Sequence, residues 1–145
     1  MPRPVEGGGA RILIVDDQSS NVRLLEHTLR RAGYTEVMST TNPCTVTALH
    51  LQHRYDLILL DLQMPEMDGF AVLSELHKIR PLYPVAVLVI SAGSSDMPAA
   101  LKSGGDAFLA KPFRLPEVVT RVQEMLKAAG VAAVVAVAQL GVEET

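Results

Sequence analysis

The chain holds one cysteine, Cys44, so no disulfide can form within it, which fits a reducing compartment. No cluster of cysteines and histidines offers the spacing of a zinc site. Basic residues do not predominate. The 13 Lys and Arg against 16 Asp and Glu leave a net charge of −3, and bulk electrostatics gives no attraction to nucleic acid. Long apolar runs are lacking too. The opening MPRPVEGGGA has no apolar core of a signal peptide. The stretch VAAVVAVAQL, residues 131–140, is shorter than the roughly 20 residues that cross a bilayer. The three early glycines are not followed by the lysine and hydroxyl residue of a Walker phosphate loop. These absences predict a cytoplasmic protein with no membrane span and no direct nucleic-acid contact.

What is there suits one globular domain. The 145 residues are 48% apolar and 20% charged, enough for a single core. Residues 1–10, with two prolines and three consecutive glycines, read as a flexible leader. Residues 11–127 read as the domain. Residues 128–145 read as an apolar tail or an extension of the last helix, packing on the domain or on a second subunit.

Between these ends, apolar runs alternate with helical patterns five times. Strands are expected at ILIV (12–15), EVMST (36–40), DLILL (56–60), PVAVLVI (84–90) and DAFLA (106–110). After the first comes a helix with Val22, Leu25, Leu29 and Ala32 on one face, capped by Ser19 or Ser20 and closed by Gly33. Asn42 and Pro43 open a second helix to about Gln52, with Cys44 as a small packing residue. Asp68 caps a third, with Phe70, Leu73, Leu76 and His77 toward its inner side. Ser94 or Ser95 caps a short fourth ending at Lys102, where Pro98 is tolerated in the first turn. A fifth runs from Leu115. Glu26–Arg30 and Glu117–Arg121 are i,i+4 pairs. The four histidines, His27, His50, His53 and His77, read as surface or boundary residues. Continuous rather than alternating apolar strands imply burial on both faces, hence an α/β fold with a parallel sheet between helix layers.

In such a fold the ligand edge lies at the carboxyl ends of the strands. Asp16 and Asp17 follow the first strand, Asp61 the third, Ser91 the fourth, and Lys111 with Pro112 the fifth. Topology alone therefore gathers three carboxylates, a hydroxyl and an ammonium. Three carboxylates together call for a cation, and a hard ion with oxygen ligands, Mg²⁺ before all, fits them. The same edge suits an incoming phosphoryl group, attacked by a carboxylate while cations neutralise its oxygens.

The motifs ILIVDDQ, DLILLDLQMPEMDGF, VLVISA and DAFLAKPF, in this order at these strand ends, resemble the receiver domain of two-component response regulators. The resemblance spans about residues 11–127. It implies a flavodoxin-like, doubly wound five-stranded parallel sheet of order 2-1-3-4-5 with five helices. It implies Asp61 as phosphoacceptor and Asp16 and Asp17 as the acidic pair for Mg²⁺ (Mn²⁺ as substitute), Asp17 the more direct ligand. The Gln63 backbone carbonyl would complete that set, and Lys111 would bridge to the phosphoryl group before a cis Pro112. Ser91 takes the switch-hydroxyl position, often threonine, and Phe108 the switch-aromatic position, often tyrosine. Gln63 and Gly93 occupy positions that tune dephosphorylation.

The function so implied is a phosphorylation-dependent signalling switch rather than an enzyme, apart from self-catalysed phosphorylation and dephosphorylation. Its implied partners are a sensor histidine kinase or histidine phosphotransfer protein, and a downstream protein or an output domain. A homodimer through the fourth helix, fifth strand and fifth helix, or through the tail, is a further expectation. Four alternatives stand beside it. An aspartyl-phosphate phosphatase would need a second acid where Gln63 stands. A flavin-binding protein would need hydroxyls and amides where DDQSSN places two negative charges. A phosphorylation-independent docking receiver often lacks an acid or the lysine. A receiver piece of a longer regulator, such as a cyclic-dinucleotide enzyme, shares the same motifs. About eighteen residues follow Lys127, so a stand-alone regulator is the expectation.

Overall fold

The computed structural model describes residues 9–64 and 68–130. Five strands, β1 (Arg11–Val15), β2 (Glu36–Thr40), β3 (Leu57–Asp61), β4 (Ala86–Ser91) and β5 (Ala107–Ala110), alternate with five helices. The helices are α1 (Ser19–Arg31), α2 (Val46–His53), α3 (Gly69–Ile79), α4 (Met97–Lys102) and α5 (Leu115–Ala128). All strand pairs are parallel, in the order β2-β1-β3-β4-β5. The expected fold class and strand order are both met.

The strand sequences explain this sandwich. In β1, Ile12 and Ile14 join one apolar cluster with residues of α1 and α5, while Leu13 and Val15 join another with residues of α2 and α3. β3 divides the same way, Leu57 and Leu59 against Ile58 and Leu60. All five residues of β3 are buried, Asp61 included. Each fully buried aliphatic side chain stabilises the fold by about 1.5–3 kcal/mol. Four of them in β3 offset the cost of carrying one carboxylate to the strand's buried end.

Several local details differ from the sequence reading. Ser19 and Ser20 lie inside α1. Gln18 holds the N-cap position without a side-chain bond, because the Asp16 carboxylate anchors its N–H at 2.9 Å and starts the helix early. Gly33, at φ 107, does end that segment. Asn42 caps as expected, but it opens a 3-10 turn over Pro43–Thr45. The Thr45 hydroxyl donates back to the Asn42 carbonyl at 2.7 Å and keeps the turn tight. Cys44 on that turn is exposed, not packed. Ser94–Asp96 form another 3-10 turn, so Asp96 rather than Ser94 or Ser95 heads α4. Arg30 and Arg121 send their guanidinium groups to backbone carbonyls, of Thr35 and Val37 and of Phe108 respectively. Glu117 accepts from the N–H of Arg114. His77 is exposed rather than inward.

His50 is the largest departure. It is wholly buried. Its Nδ1 accepts the N–H of Tyr55 at 3.1 Å, which leaves the proton on Nε2 to be donated to the Tyr83 carbonyl at 2.9 Å. One imidazole thus joins α2, the approach to β3 and the turn before β4.

At the chain's ends, Ala10 is buried in the core, contrary to a leader that stays flexible to that point. The rest of the leader reading (residues 1–8) and most of the tail reading (131–145) fall outside the described residues. Among the described residues, no helix is long and apolar enough to cross a membrane.

Candidate functional site

Parallel pairing fixes the site before any side chain is considered. Asp61 pairs in register with Ile90, and Ser91 with Ala110. Lys111 continues the ladder by donating its N–H to the Ser91 carbonyl at 2.8 Å. Asp16 extends β1, its N–H reaching the Thr40 carbonyl at 3.3 Å. The ends of β1, β3, β4 and β5 therefore share one edge, beside the gap between β1 and β3 where the direction of winding reverses.

Carboxylate oxygens of Asp16, Asp17 and Asp61 lie within 4.8 Å of one another. Asp16 and Asp61 are buried and Asp17 is half-buried. Asp16 is held from both oxygens, by the Gln18 N–H and by the Asn21 side-chain amide at 3.3 Å. Asp61 accepts the Gln63 N–H at 3.1 Å and faces Lys111 Nζ at 3.5 Å. Burial pushes the Asp61 carboxyl above its ordinary pKa, and Asp16 adds to this. The Gln63 N–H and the Lys111 ammonium oppose it. All-oxygen donors in such proximity match what a hard divalent cation requires.

Ser91 is buried, and its hydroxyl donates to Asp96 at 2.8 Å. Phe108 is buried on the α2–α3 side of the sheet, in the cluster that includes Ala100 of α4. The Lys111–Pro112 bond is cis. Asp68 caps α3 through the Phe70 N–H, and Asp56 and Asp106 accept from the N–H groups of Arg11 and Val87. None of these three acids belongs to the cluster of Asp16, Asp17 and Asp61.

The structure thus brings Asp16, Asp17, Asp61, Lys111 and Ser91 to one edge. It places Gln63 beside them, its side-chain oxygen accepting the Ala92 N–H at 3.4 Å. Two participants escaped the sequence reading. Asn21 lies five residues beyond Asp16, on the first turn of α1. Asp96 offered one visible signal, an acid just before a helix with proline in its first turn, and that pointed to capping rather than to Ser91.

The sequence matches the response regulator receiver domain family over residues 12–123. The chain belongs to this family, the phosphoacceptor module of two-component signalling. It is 37% identical over 120 residues to the transcriptional regulatory protein PrrA of Mycobacterium tuberculosis, covering 83% of this chain and 51% of that one. It is 32% identical over 123 residues to PhoP of Bacillus subtilis, the alkaline phosphatase synthesis transcriptional regulatory protein, covering 85% and 51%. The chain therefore spans about half the length of these relatives. Among solved structures it resembles a CheY-like receiver domain protein from Methanospirillum hungatei, with TM-score 0.76, 26% identity and coverage of 83% and 96%. It also resembles the receiver domain of the Francisella response regulator 1452, with TM-score 0.74, 26% identity and coverage of 82% and 98%.

Proposed function

We propose that Asp61 is the residue that accepts the phosphoryl group, and that the carboxyl-end edge of the sheet is built around that transfer. A carboxylate oxygen of Asp61 attacks phosphorus. The bond from phosphorus to the donor breaks, and its electron pair leaves either with the imidazole of a phosphohistidine, which takes up a proton, or with the carboxylate of a small acyl phosphate, which departs as the anion. The observation that carries this is the buried Asp61, within 4.8 Å of two further carboxylates and 3.5 Å from an ammonium.

Asp16, Asp17, Asp61 and the Gln63 backbone carbonyl would hold Mg²⁺, or Mn²⁺ in its place. A bound ion there supplies positive charge that lets an anionic phosphoryl group approach carboxylates. Lys111, 3.5 Å from Asp61, adds a second positive charge, and Asn21 steadies Asp16. Ser91 donates to a phosphoryl oxygen once the group is in place, and Phe108 follows by repacking. The phosphoryl group acts by favouring an arrangement the protein already visits. The whole acidic set and the lysine are present, which argues against a receiver used only for docking.

On this reading the domain, residues 11–127, works in the cytoplasm. It takes its phosphoryl group from a sensor histidine kinase or histidine phosphotransfer protein. It signals to a downstream protein or an output domain, and α4, β5 and α5 form the face that changes.

Intact mass after incubation with acetyl phosphate tests this. Wild type with Mg²⁺ should gain roughly 80 Da, one phosphoryl group. Asp61→Ala, and wild type without Mg²⁺, should gain nothing. An equal gain in Asp61→Ala would place the acceptor elsewhere.

A further inference from the structure

The Ser91 hydroxyl has a single proton, and Asp96 holds it. The Oγ donates to Asp96 Oδ2 at 2.8 Å while accepting the Gly93 N–H at 3.2 Å. Asp96 stands at the N-cap position of α4, where a carboxylate ordinarily accepts first-turn N–H groups. It makes no such bond. Its acceptor is used on Ser91 instead, and the turn is shaped for that contact. A Cβ placed on Gly93 would lie 3.2 Å from Asp96 Oδ2, tighter than ordinary contact. The neighbouring donor, the Ala92 N–H, is held by the Gln63 side chain.

The geometry points to Asp96 as a positioning residue that competes with the phosphoryl group on Asp61 for the Ser91 proton, and so sets how readily the switch is thrown. The inference rests on the phosphoacceptor reading of Asp61. Both acceptors are anionic, so the exchange trades one charge-assisted hydrogen bond for another of similar strength. That makes the equilibrium sensitive to Asp96. A phosphoryl oxygen gains Ser91 only by breaking the Asp96 contact. Its release returns a carboxylate to the head of α4, which links Ser91 to the face formed by α4 and β5.

The test is a calorimetric titration of the full chain with beryllofluoride, a phosphoryl mimic, in saturating Mg²⁺. Wild type, Asp96→Asn, Asp96→Ala, Ser91→Ala and the Ser91→Ala/Asp96→Ala pair are compared. Asp96→Ala should bind about tenfold more tightly, the scale of one hydrogen bond to a charged group. Asp96→Asn should fall between it and wild type, since its amide oxygen still accepts but carries no charge. In the Ser91→Ala background, Asp96→Ala should change affinity by less than about twofold, that residue being the bare charge effect.

Unchanged or weaker binding by Asp96→Ala overturns the proposal, and so does equal tightening without Ser91. If the alanine variant fails to fold, Asp96→Asn decides alone, by tightening or by leaving affinity unchanged. Failure of wild type to bind beryllofluoride at all would instead sink the phosphoacceptor reading, and the competition with it.

Discussion

Replacing His50 by phenylalanine separates what holds β3 in place from what happens at its end. Phenylalanine keeps a ring of similar size in a wholly buried position but removes both hydrogen bonds. The Tyr55 N–H then loses its acceptor. Tyr55 is only 2% exposed, so water cannot substitute easily, and a buried donor left unpaired costs about 1–3 kcal/mol. The Tyr83 carbonyl belongs to a half-buried residue, and water can reach it, so that loss is about 0.5–1.5 kcal/mol. Together they amount to roughly 2–4 kcal/mol, a large part of the 5–15 kcal/mol that typically holds a domain folded. In urea unfolding the midpoint should fall with the slope unchanged.

The same substitution has a pH signature. Burial lowers the His50 pKa from its ordinary 6.5, and Arg54 and Arg80 lower it too, against the Tyr83 hydrogen bond and Asp56. Protonation would place a hydrogen on Nδ1, facing the Tyr55 N–H. A folded pKa below the unfolded one means stability is full above about pH 6.5 and is lost as pH falls through the folded value. Wild type therefore weakens from pH 7 toward pH 5 by a limb that His50→Phe lacks, and the gap between the two should narrow over that range. His27, His53 and His77 are common to both proteins and cancel. A variant as stable as wild type at pH 7, or a gap that stays constant on acidification, would refute the assignment of both nitrogens. Because His50 contacts the start of β3 and Asp61 ends it, the folded variant should still take up a phosphoryl group at the wild-type rate.

Asp61→Asn should abolish phosphorylation yet raise the urea midpoint at pH 7. Burial raises the Asp61 pKa above 3.8, so wild-type stability declines as pH rises through the folded value, and the gain in the asparagine variant should vanish near pH 3. Lys111→Ala should fold normally but accept phosphoryl from acetyl phosphate about a hundredfold more slowly, the usual effect of removing one preorganised positive donor, read by mass against time. A rate within a factor of two or so of wild type would remove Lys111 from the transfer. Gly69→Ala should destabilise by about 1–3 kcal/mol in urea, because its Cβ would meet the Leu62 Cα at 2.6 Å and the Asp61 carbonyl at 3.0 Å, both backbone atoms that cannot turn aside.

The sheet was legible because its signal is repeated. Each apolar strand ends at a residue out of place in a core, and parallel pairing needs only the order of those ends to bring Asp16, Asp61, Ser91 and Lys111 together. Where the reading failed, one residue had two physically sound uses and the fold selected the other. Ser19 is a good helix cap, but Asp16 already holds Gln18 and starts α1 earlier. Histidine is common on helix surfaces. His50 is buried only because Tyr55 and Tyr83, five and 33 residues away, present one donor and one acceptor at the right separation. Asp96 follows the same logic with greater consequence. As a helix cap it would act on α4 alone. Bonded to Ser91, it ties the hydroxyl at the end of β4 to the first turn of the next helix. A side chain's partner across a turn is not written in the spacing of apolar residues. The elements of a switch can therefore be read from sequence before the contact that sets its threshold.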